Sequence, residues 1–191
     1  MSKTYSEMTA LGSAAPAFDL PIANPQVDDR DESTRSLDDY AAAEALVVVF
    51  MCNHCPYVHA VEDRLIALAK DYEPRGVQVV GICSNDAERY PQDDFDAMAE
   101  RAKEKGYPFP YLRDDSQDVA RAYGAVCTPD FFVYDADRTL VYRGRLDDGR
   151  PGREPTQHDL RRALDELLET GEITAEQVPS MGCNIKWAEA V

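Results

Sequence analysis

Five of the 191 residues are cysteines, and two of them, Cys52 and Cys55, are separated only by Asn53 and His54. Three chemistries use such a pair: a thiol–disulfide couple, one half of a metal site, or two inert core thiols. The remaining cysteines are Cys83, Cys127 and Cys183, and an odd number cannot all pair within one chain.

The surroundings of the pair favour redox chemistry. It follows a β-branched run, Ala45–Met51, and precedes Val58, Val61, Leu65, Leu68 and Tyr72, which recur at helical steps with Glu62, Asp63 and Arg64 between them. A strand-to-helix junction places Cys52 at or just before the first helical turn, where free N–H groups and the positive end of the helix dipole favour thiolate. Cys52 is then the exposed, attacking sulfur and Cys55 the covered, resolving one. An imidazolium at His54 would add to the stability of the Cys52 thiolate. The metal reading wants a second Cys/His pair at ligand spacing, and only His59 is near in sequence. The core reading fits poorly with Asn53 and His54 as neighbours.

The elements that would position the pair alternate in type. After the strand and helix, Pro74 and Gly76 stop the helix and Val77–Ile82 forms a second buried strand. Helices are predicted near Asp93–Lys105 and Gln117–Tyr123, the second capped by Ser116. Phe131–Tyr134 and Thr139–Arg145 form a hairpin. A last helix is capped by Thr156, with Asp159 three residues on, and ends at Gly171. The expected fold class is α/β: a parallel β–α–β half joined to an antiparallel hairpin in one mixed sheet, with helices on both faces. One domain spans 1–191, with a core of about 40–171, an N-terminal extension (1–39) holding a charge-dense exposed loop at Ile22–Ser36, and a tail (172–191) without clear period.

From "APAFDLP" to "GCNIKW" the chain resembles the thioredoxin superfamily, and more closely the peroxiredoxin-like proteins related to AhpC/TSA that carry a C-N-H-C-P motif. The stretches "VFMCNHCPYV", "AYGAVCTPDFFVYD", "YRGRLDD" and "MGCNIKW" carry the resemblance. It implies a thioredoxin fold, with Cys52, Asn53, His54 and Cys55 as the catalytic motif opposite a cis-proline loop at Thr128–Pro129. That loop, with Cys127, would bind substrate, an extended chain pairing with Thr128 as an added strand. The chain departs from thioredoxins at Met51, where they have Trp, at Asn53–His54, where they have Gly-Pro, and at Leu46, where they have a buried acid. The peroxiredoxin signature P-x-x-x-T/S-x-x-C fails in both frames. Its Thr and Pro positions are Val49 and Ala45 for Cys52, and Cys52 and Val48 for Cys55.

The resemblance implies a thiol–disulfide oxidoreductase without cofactor, acting on a disulfide in a protein or small molecule and served by an unidentified thiol reductant. Its reduction potential is expected above thioredoxin's, about −270 mV. A thiol peroxidase using Cys183 or Cys127 as well is an alternative, and a copper or zinc module built on Cys52, Cys55 and a histidine is another. Cys127 either exchanges with Cys52 or fills space under the loop. Cys183 is either a third redox thiol on a tail that folds back, or a bystander while Ile185 and Trp187 dock. Cys83 belongs to the core.

The net charge is −16, so nucleic acid and anionic membranes are expected to be repelled. The acidity fits either a salt-rich cytosol or an ordinary soluble surface. The first residues lack a secretory apolar core and no run is long enough to span a bilayer, so the expected location is the cytoplasm, where structural disulfides are rare. Arg143 and Arg145 are expected at the surface, paired with Asp147 and Asp148.

Overall fold

The computed structural model describes residues 3–189. In chain order its elements are β1 (Lys3–Tyr5), β2 (Asp19–Pro21), β3 (Thr34–Ser36), β4 (Ala45–Phe50), α1 (Pro56–Tyr72), β5 (Val77–Cys83) and α2 (Phe95–Lys105). There follow β6 (Tyr111–Arg113), α3 (Asp118–Tyr123), β7 (Cys127–Thr128), β8 (Asp130–Asp135), β9 (Leu140–Gly144), α4 (Asp159–Thr170) and β10 (Met181–Asn184). The central sheet has the order β6-β5-β4-β8-β9. β4, β5 and β6 run parallel, and β8 and β9 are antiparallel, as the mixed-sheet expectation requires.

β4 is apolar throughout because it is covered on both faces. Val47 and Val49 pack with Val58 and Leu65 of α1 and Leu160 and Leu164 of α4. Leu46, Val48 and Phe50 pack on the other face with Tyr123 of α3, Phe132 of β8 and Ile185. The strand thus ends rigidly at the motif, and Cys52 starts where this support stops. Among the described residues no helix is long and apolar enough to cross a membrane.

Several local expectations give way to stronger partners. α1 begins at Pro56, whose missing N–H costs nothing at the first helical position, so the residue before the helix is Cys55 and not Cys52. Glu62 is buried, not solvent-facing. It accepts from Arg101 and from the Tyr107 hydroxyl, and so ties α1 to α2. α2 starts after Asp94, whose carboxylate takes the Ala97 N–H, which leaves Asp93 outside the helix. In α3 the Asp114 carboxylate accepts the Val119 and Ala120 N–H groups, while Ser116 takes only that of Asp118. Thr156 does not cap α4. Its hydroxyl and N–H both go to Asp148, three residues before the helix starts.

The Ile22–Ser36 segment is not loop throughout: its last residues form β3, which pairs with β2 just ahead of the segment. Buried Arg35 gathers that loop, donating to Asp28 and to the carbonyls of Glu32 and Thr34. Arg143 is buried too and pairs with buried Asp130, and Arg145 pairs with Asp159. The patternless tail becomes a strand. β10 lies between β1 and β7 in a small antiparallel sheet that joins the two ends of the chain to the Thr128 loop.

Candidate active site

Cys52 leaves β4 on a two-residue bend, and Cys55 sits as the cap residue of α1. Both are buried, Cys52 2 % exposed and Cys55 0 %, so the expected exposed first sulfur is not at the surface. The Thr128–Pro129 peptide is cis, as the resemblance implied, and brings Thr128 against both sulfurs. Cys52 Sγ lies 3.4 Å from Thr128 Oγ1, and Cys55 Sγ meets the Thr128 carbonyl oxygen at 3.1 Å.

The positive end of the helix therefore acts on the second cysteine. The Cys52 thiol donates to Cys55, Cys183 and Thr128 add hydrogen bonds, and the Val58 N–H faces the same sulfur; together they outweigh burial and lower Cys55 to about 5. Cys52 is pushed well up by that same hydrogen bond, by burial and by the charge of Asp93. Of the two sulfurs, the one at the start of α1 is thus the one whose thiolate the surroundings favour.

Asp93 is the site residue that the sequence reading missed. It is 0 % exposed and receives the Asn53 N–H and the Asn85 side-chain amide, each at 2.8 Å. His54 Nδ1 lies 2.6 Å from its second oxygen, and the ring stacks on Tyr90 with centroids 5.3 Å apart. Burial alone would raise the Asp93 carboxyl, but His54, Asn85 and the Asn53 N–H hold it below the ordinary carboxylate range. The signal was there in Asp93–Asp94: one acid caps α2, and the other is left over just ahead of a helix start. A ring nitrogen of His54, Cys52 Sγ and an Asp93 oxygen all lie within 4.8 Å of one another. Among the described residues these three groups, Cys52, His54 and Asp93, are close enough together to hold a metal ion, with a coordination position left open.

Asn53 splints the bend. Its side chain donates to the Gln92 carbonyl and accepts from the Tyr111 hydroxyl, and its carbonyl meets His59 Nε2. His59 is thus engaged away from the sulfurs. Cys127 is buried under the loop with its thiol toward the Pro129 carbonyl, and burial pushes it far up. Cys83 is likewise pushed up to about 12 by burial. Cys183 is brought to the pair, its thiol donating to Cys55, and Ile185 docks in the core on the other face of the sheet. The tail therefore folds back to the pair and also docks Ile185. The edge of Thr128, expected to receive a substrate strand, is occupied by β10.

The AhpC/TSA family model matches residues 11–143. An uncharacterized conserved protein from Geobacillus kaustophilus is 47 % identical, with a TM-score of 0.92 over 100 % of this chain and 99 % of that one. A hypothetical protein from Sinorhizobium meliloti is 43 % identical, with a TM-score of 0.90 over 98 % and 100 %. A thiol:disulfide interchange protein of the thioredoxin family from Chlorobium tepidum is 19 % identical, with a TM-score of 0.55 over 78 % and 91 %, which establishes a shared thioredoxin fold. No curated protein matches the chain.

Proposed function

The chain belongs to the AhpC/TSA family, and from that premise we propose that it is a thiol–disulfide oxidoreductase whose couple is Cys52–Cys55. The observation that carries this is the geometry of the pair: both sulfurs meet Thr128, Cys52 Sγ at 3.4 Å from its Oγ1 and Cys55 Sγ at 3.1 Å from its carbonyl oxygen, just before a cis proline. Cys55 is enclosed by Thr128, Cys183 and the first turn of α1, so an incoming disulfide meets Cys52 first. His54, held by Asp93, takes the Cys52 proton as that sulfur attacks, and the substrate's S–S bond breaks with its electron pair on the departing sulfur. The departing thiolate takes the proton from His54. Cys55, already charged, then attacks Cys52 Sγ and releases the second substrate sulfur as a thiolate. The enzyme has lost two electrons to one disulfide, and a thiol reductant returns them. A reducing compartment such as the cytoplasm keeps the pair ready for this direction of flow.

The test is reduction of insulin-type disulfides with dithiothreitol as electron source, run beside peroxide consumption and metal analysis of protein purified under reducing conditions. Disulfide reduction that vanishes in Cys52→Ser supports the proposal. Peroxide consumption without disulfide reduction would replace it with the peroxidase reading, and stoichiometric zinc or copper without turnover would replace it with a binding module.

A further inference from the structure

β10 holds the position that an incoming substrate strand would take. It runs antiparallel to β7 with Cys183 opposite Thr128, the residue before the cis proline. The approach is close: a Cβ on Gly182 would stand 2.0 Å from the Thr128 carbonyl oxygen, so only glycine fits. That oxygen is the one Cys55 Sγ meets at 3.1 Å. Cys55 thus shares hydrogen bonds with two thiols, those of Cys52 and Cys183.

The tail is firmly seated. Ser6 and Ser180 bond each other through backbone and hydroxyl, and the Ile185 N–H donates to the Val126 carbonyl. Asn85 accepts the Lys186 N–H and Gln117 donates to the Lys186 carbonyl. A strand held this way keeps its sulfur beside Cys55, and holding reacting groups together in one chain is what speeds their exchange.

We propose that Cys183 is a third catalytic thiol that takes the disulfide over from Cys52; the proposal rests on the Cys52–Cys55 couple described above. The Cys183 sulfur attacks Cys55 Sγ. The Cys55–Cys183 bond forms as the Cys52–Cys55 bond breaks, the electron pair leaves on Cys52, and Cys52 takes up the proton that Cys183 loses. One disulfide replaces another, so no oxidant is consumed. The exchange returns Cys52 as a thiol while the oxidising equivalent moves into the tail. Burial and donation to Cys55 hold the Cys183 thiol up to about 12 in the reduced chain, and the second of these causes ends once Cys55 enters a disulfide.

The full chain is equilibrated in glutathione redox buffers, quenched in acid, alkylated and mapped for linked peptides by mass spectrometry. A Cys55–Cys183 link beside Cys52–Cys55 in the wild type, becoming the sole internal link in Cys52→Ser, is the expected result. Gly182→Ala keeps every thiol but pushes the strand away. It is expected to lose the tail link by about tenfold or more while keeping Cys52–Cys55, since ångström-scale displacement of reacting atoms costs up to about 100-fold. A Cys52–Cys55 link with no tail link in either the wild type or Cys52→Ser overturns the proposal, and those two maps decide it even where Gly182→Ala does not fold. Absence of both links would instead remove the couple on which the proposal stands.

Discussion

Asp93 and Cys55 set the proton inventory of the site, and each gives a prediction. Asp93 raises Cys52 by its charge and keeps His54 in place. Asp93→Asn is therefore expected to speed alkylation of Cys52 by iodoacetamide at a fixed mildly alkaline pH, roughly tenfold if one pKa unit is removed. Disulfide turnover should fall in the same variant, because the imidazole loses its partner. Unchanged or slower alkylation would remove Asp93 from the account. Cys55, lowered from 9.0 to about 5, makes the reduced pair hold one proton over the neutral range. A depressed pKa stabilises the reduced fold fully above the ordinary thiol range, and that contribution fades as pH falls through about 5. The two-electron potential should accordingly drop by about 30 mV per pH unit at neutral pH and by about 59 mV per unit below the Cys55 pKa. A slope of about 59 mV persisting through neutrality would mean that both sulfurs stay protonated.

At the scale of elements, the cis-proline loop owes its position to the residue that follows it. Asp130 is buried against buried Arg143 and also accepts the Val126 N–H, while Arg143 donates to the Phe131 carbonyl and lies 3.8 Å above the Phe132 ring. Asp130→Ala leaves the guanidinium buried and unpaired, so a loss of about 3–5 kcal/mol is expected in denaturant unfolding. A loss under about 1 kcal/mol would mean that the pair is dispensable. The elements that position the first cysteine were legible in the sequence because β4 and α1 carry long, unbroken patterns. Pro56 was legible too, as a first helical residue, and would have placed the helix end at Cys55. β1 and β10 were not legible, since strands of three and four residues acquire meaning only by pairing across nearly the whole chain. Arg143 read as a surface charge and Asp93 as the start of a helix, because the partners that bury them, Asp130 and His54, lie across the fold.

For the molecule as a whole, the excess of acid is a surface matter. The pairs Asp130–Arg143, Glu62–Arg101 and Asp28–Arg35 each have a buried member and are weakly screened, whereas the net charge of −16 repels itself through solvent. Added KCl should therefore raise the thermal midpoint, by about 2–4 °C for each 1 kcal/mol of repulsion relieved. A midpoint that falls with salt would show that exposed ion pairs outweigh the repulsion. The same whole-chain closure that seats β10 between β1 and β7 draws the thiols of Cys52, Cys55 and Cys183 into one buried cluster, and their chemistry is open to direct measurement. In a redox titration followed by alkylation of the cysteines, Cys55 is predicted to lose reactivity in one two-electron transition with a midpoint above about −270 mV, its loss matched by that of Cys52 and Cys183 taken together. Sulfurs that stay alkylatable across the whole range, or a midpoint at or below that value, would contradict the account.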